Sequence, residues 1–142
     1  MAVTNTAQPT IEQLIVSELL MDEKLYPRHH VDMMHVRTLQ EALRAGIVLP
    51  PIVVDSGSKR VTDGWHRLRA TEAEYGAEAQ IMCELVDYAS EAEMVRDAVA
   101  RNANHGRMLS MYDKARCVLM MKKYGFDGVA RRGKARRGVW KV

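Results

Sequence analysis

Cysteine is scarce in the chain. Only Cys83 and Cys117 occur among 142 residues, and their spacing matches neither a metal site nor a redox pair. A disulfide framework is excluded, and the expectation is a cytoplasmic protein with reduced thiols. No apolar run approaches the length of a membrane span. The N-terminus lacks the basic start and apolar centre of a signal peptide, so no membrane association is expected. Internal repeats are missing, and low complexity is confined to the Arg/Gly-rich end. His29, His30 and His35 fit no ligand spacing, so no metal site is expected. No Ser-His-Asp or Cys-His arrangement can be argued from order along the chain.

What is present is the composition of one globular domain, 47% hydrophobic and 27% charged, long enough to bury a core. Its charge is uneven. Residues 1–121 hold 13 Lys/Arg against 17 Asp/Glu, while residues 122–142 hold 8 against Asp127 alone, giving nets of −4 and +7. A basic end of this kind meets nucleic acid through phosphate contact and counterion release, with Arg131, Arg132, Lys134, Arg136 and Arg137 as the contacts. It reads equally as a solvated terminus. Trp140 either stacks on a base or packs on the body.

Punctuation divides the chain into an N-terminal extension (1–20), a central domain (21–124) and a basic tail (125–142). Ile11 to Met21 is apolar enough for a helix or a strand, and periodicity does not decide between them. Asp32 caps a helix carrying Val36, Leu39 and Leu43, which Gly46 stops. Pro51 to Val54 and Arg60 to Thr62 are strand candidates around the turn-forming Asp55-Ser56-Gly57-Ser58. A helix from Gly64 to about Gly76 places Leu68 and Tyr75 on one face, and Ile81 to Val86 forms a further strand. Ser90 with Glu93, and Ser110 with Asp113, are capping-box starts for two more helices. The predicted class is α+β, a small mixed sheet with packed helices and a helical C-terminal part.

Two constellations carry chemistry. In Asp63-Gly-Trp-His-Arg-Leu-Arg-Ala70, Gly64 stands at a helix mouth whose unpaired N–H groups and dipole attract anions. Arg67 can fork onto a phosphate and His66 can donate a hydrogen bond, while Arg69 projects elsewhere. The competing reading is a charged surface helix whose arginines pair with Glu72 or Glu74. Asp63 serves either as a general base or as the cap of that helix. In the second, Val95, Val99 and Asn102 share one helix stripe, so the amide either stitches backbone or faces a ligand. Asn104, His105 and Gly106 follow, where the helix should end. The C-terminal methionines Met108, Met111, Met120 and Met121 read as packing residues, with a homodimer contact as one use.

Together these stretches resemble the ParB/sulfiredoxin superfamily. The order Pro27-Arg28, Gly46, Pro51-Ile-Val-Val54 and Asp63-Gly-Trp-His-Arg-Leu-Arg-Ala70 matches. So does Asn102-Ala-Asn-His105-Gly106-Arg-Met-Leu109-Ser110-Met-Tyr-Asp113-Lys, which is similar to a pattern in ParB-like domains of antibiotic-pathway regulators and phage or plasmid proteins. The resemblance implies a nucleotide site of the CTP or ATP type. Gly64, His66 and Arg67 would take the phosphates, Asn102 would approach them or their Mg²⁺, and His105 is a weaker candidate. Trp65 stands where sulfiredoxins have cysteine, which excludes sulfiredoxin chemistry. Arg101 stands where partition proteins have a metal-holding glutamate, so hydrolysis, if any, should be slow. Such regulators continue into a helix-turn-helix domain, for which the residues after Gly125 are too few. The expected function is a nucleotide-binding switch or DNA-binding accessory domain. The alternatives are a small-molecule kinase or nuclease on the same fold, or a DNA-contacting accessory protein with a vestigial pocket.

Overall fold

The computed structural model describes residues 10–28, 31–103 and 110–125. In chain order these form β1 (Thr10–Ile15), α1 (Met33–Arg44), β2 (Ile52–Asp55), β3 (Val61–Asp63), α2 (Trp65–Tyr75), β4 (Gln80–Val86), α3 (Glu91–Ala103) and α4 (Met111–Lys123). The strands make a mixed sheet of order β1-β4-β2-β3. β1 runs antiparallel to β4, β2 antiparallel to β3, and β2 parallel to β4. This is the α+β class that the sequence predicts.

The undecided stretch Ile11 to Met21 resolves into both kinds of backbone. Thr10–Ile15, within the expected N-terminal extension, is the edge strand, and Val16–Glu18 then turns as a short 3-10 helix. Central β2 is buried along its whole length, as a continuous apolar run between neighbours should be. The turn after it is closed by the Asp55 carboxylate, which accepts from Ser58 N at 2.8 Å and Ser58 Oγ at 2.7 Å. Burial opposes ionisation of Asp55, but the Ser58 bonds win and hold its pKa below the usual carboxylate value.

One core lies against the sheet, with Ile52, Val54, Val61, Cys83, Trp65 and Leu68. A second joins α3 and α4 through Val95, Val99, Cys117, Met120 and Met121, with Leu25 from a 3-10 turn. The expected stripe on α3 is therefore real, and Asn102 ends it buried. Burial raises both thiols to about 11, so neither cysteine is poised as a nucleophile. Two helix starts match the sequence reading. Asp32 caps α1 by accepting from Met34 N and His35 N, and Ser110 and Asp113 form a reciprocal capping box on α4. At α3, Ser90 Oγ accepts from Glu93 N at 3.2 Å.

Tyr75 departs from expectation. It is exposed at the last turn of α2, and its hydroxyl donates to Leu43 O, while Leu68, the other residue of the expected face, reaches the core. Among the C-terminal methionines, Met120 and Met121 pack inside, Met111 is exposed, and Met108 lies outside the described residues. Among the described residues no helix is long and apolar enough to cross a membrane.

Candidate functional site

The start of α2 opens into a cavity of about 350 Å³. Gly64, the N-cap residue, has φ of 109°, and α2 begins with no side-chain cap and no acidic residue in its first turn. α1 and α4 each have a capping side chain. The first N–H groups of α2 and the positive end of its dipole therefore meet the cavity without a carboxylate cap. Asp63 does not cap the helix. Because glycine occupies the N-cap position in a left-handed conformation, the Asp63 carboxylate instead accepts from Arg67 Nη2 at 3.2 Å.

Gly64 is also required by packing. A Cβ at this position would lie 2.4 Å from Ile52 Cγ2 and 2.7 Å from Ile52 Cβ. The strand side chain thus sits where any other residue would need space.

Gly64, His66, Arg67 and Asn102, predicted from two distant stretches, all line this cavity. Arg69 is not among its lining residues. His105, and Arg131, Arg132, Lys134, Arg136 and Arg137, lie outside the described residues, as do His29 and His30. The competing reading, in which the α2 arginines pair with Glu72 or Glu74, is not what Arg67 does. Its Nη1 donates to Pro50 O at 3.0 Å and Pro51 O at 2.8 Å, while Glu74 takes Arg44 and Gln40. Arg67 therefore pins the loop before β2 while presenting its charge to the cavity wall.

His66 binds in a way the sequence does not show. Its Nε2 accepts from the backbone N–H of Asp32 at 3.1 Å, and its ring meets His35 edge-on at 5.0 Å. An accepting Nε2 carries no proton, so in this arrangement the imidazole contributes a neutral link between α2 and α1 rather than a charge.

Sequence reasoning missed a contributor. Arg28 is 5% exposed and lines the cavity. Its Nε donates to Asn102 Oδ1 at 3.2 Å, and its Nη1 lies 3.8 Å from the Asp113 carboxylate. Asn102 Nδ2 donates back to Ala98 O at 2.9 Å. Asn102 is thus hydrogen-bonded within the fold, and it also lines the cavity. In the sequence Arg28 stands out only as part of the Pro27-Arg28 pair, because its partners are remote along the chain. Trp65, buried against Tyr26 with ring centroids 4.1 Å apart and 5° between planes, forms part of the wall. Arg101 does not line the cavity. Its Nε donates to Asp97 Oδ2 at 2.8 Å, and Asp97 also accepts from the Tyr88 hydroxyl.

No family model matches the chain. Among solved structures, a pNOB8-like ParB N-domain superposes with a TM-score of 0.58 at 20% identity, over 88% of this chain and 48% of that one. The C-terminally truncated chromosome-partitioning protein ParB from Caulobacter crescentus, complexed with CTP-γ-S, superposes with a TM-score of 0.59 at 14% identity, over 94% of this chain and 72% of that one. The chain has the ParB N-domain fold. A curated relative is the "Streptomycin biosynthesis operon possible regulatory protein" of Streptomyces griseus, 40% identical over 83 residues. That match spans 58% of this chain and 22% of the relative.

Proposed function

We propose that this ParB-like domain is a nucleotide-binding regulatory module whose cavity takes a nucleoside triphosphate, of the CTP or ATP type. One observation carries the reading. The uncapped N-terminus of α2 opens into a cavity lined, among the described residues, by two guanidiniums, Arg28 and Arg67, and by one carboxylate, Asp63, itself paired with Arg67. Such a lining suits a multiply charged anion, and the volume falls in the usual range of small-ligand sites, about 300–1,000 Å³. The likeness to a ParB crystallised with a CTP analogue supports the ligand class, and the operon regulatory relative supports the role.

Mg²⁺ would enter with the phosphates. Bound Mg²⁺ commonly takes one or two protein carboxylates, and the single carboxylate among the described lining residues, Asp63, is engaged by Arg67. This favours a binding switch over a kinase or nuclease, which would require a carboxylate base or an acidic cluster at the same place.

DNA contact is assigned to Arg131, Arg132, Lys134, Arg136 and Arg137 on charge alone. Ending the chain after Gly125 should abolish DNA retention, whereas Arg28→Gln should leave it intact.

The nucleotide claim is tested by titrating CTP, ATP and GTP while following Trp65 emission, with Trp140→Phe removing the other indole. A saturable change with one nucleotide supports the site. No change with any of them, together with no binding by equilibrium dialysis, refutes it.

A further inference from the structure

α1 is fastened to α2 at both ends. At the far end Glu74 accepts from Gln40 Nε2 at 3.1 Å and from Arg44 Nη2 at 2.8 Å, and the Tyr75 hydroxyl donates to Leu43 O. Beside the cavity the tie is the bond from Asp32 N–H to His66 Nε2. His35 and Leu39, on the turns of α1 that follow, form part of the cavity wall. The two fastenings differ in kind. Arg44 and Gln40 hold the Glu74 pKa below its ordinary value, so the far one persists through the neutral range. The near one depends on one lone pair of an imidazole. A backbone N–H is always a donor, so Nε2 must be bare and the neutral ring carries its proton on Nδ1. A proton on Nε2 and the bond to Asp32 exclude one another.

The described groups around the ring pull in opposite directions. The carboxylates of Asp32 and Asp63 favour an imidazolium, but Asp32 is engaged by Met34 N and His35 N, and Asp63 by Arg67. Arg28 and Arg67, which line the same cavity, disfavour it, as does His35 when charged. The Tyr26 ring, 6.4 Å away, is neutral. A polyphosphate entering the cavity would reverse this balance, because it offsets both guanidiniums and adds negative charge beside the ring.

We propose that His66 is a proton-operated latch. Neutral, it holds the start of α1 on α2. When the phosphates of a nucleotide fill the cavity it takes up a proton, lets go of Asp32 and donates to them, and the near end of α1 moves about the Glu74 fastening. The latch rests on the nucleotide reading of the cavity. It couples occupancy to the position of His35 and Leu39, so α1 reports whether the cavity is filled.

The test is calorimetric titration of the full chain with CTP, ATP and GTP, near neutral pH, in buffers of low and high ionisation enthalpy. His66→Gln is the comparison, since it keeps an acceptor for Asp32 N–H and cannot become charged. Wild type should take up about one proton more than the variant on binding. Its affinity should fall by up to about tenfold per pH unit more steeply than the variant's as pH rises between about 6 and 8. The terminal phosphate of the nucleotide ionises in the same range, so the variant supplies the baseline. Nitrogen NMR of the imidazoles, with the His66 signals assigned by their loss in the variant, should show a neutral Nδ1–H ring in the free chain and a doubly protonated ring in the complex. Hydrogen exchange at the Asp32 amide should accelerate on binding. Equal proton counts in wild type and variant overturn the latch and leave the nucleotide reading standing. So does a ring that stays neutral in the complex, which decides the matter even where the variant binds too weakly to titrate, or an Asp32 amide that becomes more protected. No binding by any nucleotide overturns both.

Discussion

His66 on α2 accepts a hydrogen bond from the backbone N–H of Asp32, the residue that caps α1, at 3.1 Å. The first turn of the cavity helix is thereby tied to the start of its neighbour. His66→Leu removes the acceptor and strands a partly buried N–H, and should cost about 1–2 kcal/mol in urea unfolding. His66→Gln, which retains an acceptor, should recover part of that loss.

Gly64→Ala should be among the most damaging small substitutions in the chain. The added methyl would meet Ile52 at 2.4 Å, and the backbone there has φ of 109°. Overpacking costs about 1–3 kcal/mol and the left-handed conformation about 1–2 more, so a loss of about 3 kcal/mol is expected by urea denaturation. Gly46→Ala meets no neighbour within 4 Å and should show only the backbone part, a clear difference between two glycines of similar φ.

Arg28 joins the ends of two helices, through Asn102 on α3 and Asp113 on α4. Removing one member of a buried charged group costs about 3–5 kcal/mol because the other charge is left behind. Arg28→Met should show a loss of this order in chemical denaturation. Combining it with Asp113→Asn should cost less than the sum of the two single changes, the mark of a coupled pair.

Glu91 gives a pH signature. Hydrogen bonds from Tyr124 and Arg60 lower its pKa from an ordinary 4.5 to about 2. A carboxyl whose folded-state pKa is depressed contributes stability that is present above its unfolded value and lost as pH falls through the folded one. Thermal stability should therefore decline between about pH 4.5 and 2, and Glu91→Gln should flatten that part of the profile relative to wild type. The same change should loosen Tyr124, whose phenol is pushed up to about 12 by its bond to Glu91.

Local features were legible because they depend on neighbours in sequence. The Asp32 cap, the Ser110–Asp113 capping box, the Asp55 turn and Gly64 at the mouth of α2 all follow from side chains bonding within a few residues. What was not legible depends on distant partners. Arg28 gains its place from Asn102 and Asp113, and Arg67 takes Pro50 O and Pro51 O rather than a carboxylate of its own helix. Asp63 fails as a cap because glycine holds that position, which a propensity argument weighs less than an aspartate. The stretch Ile11 to Met21 is ambiguous in the sequence because a short apolar run fits either period, and β4 settles its first part by pairing with Thr10–Ile15.

The most direct test of the account is calorimetric titration of CTP, ATP and GTP, with and without Mg²⁺, into wild type, Arg28→Gln, Arg67→Gln and the surface control Arg44→Gln. One nucleotide should bind. Each cavity variant should lose about 2 kcal/mol, roughly thirtyfold in affinity, and the control should match wild type. No heat with any nucleotide, or binding that both cavity variants retain in full, would contradict it.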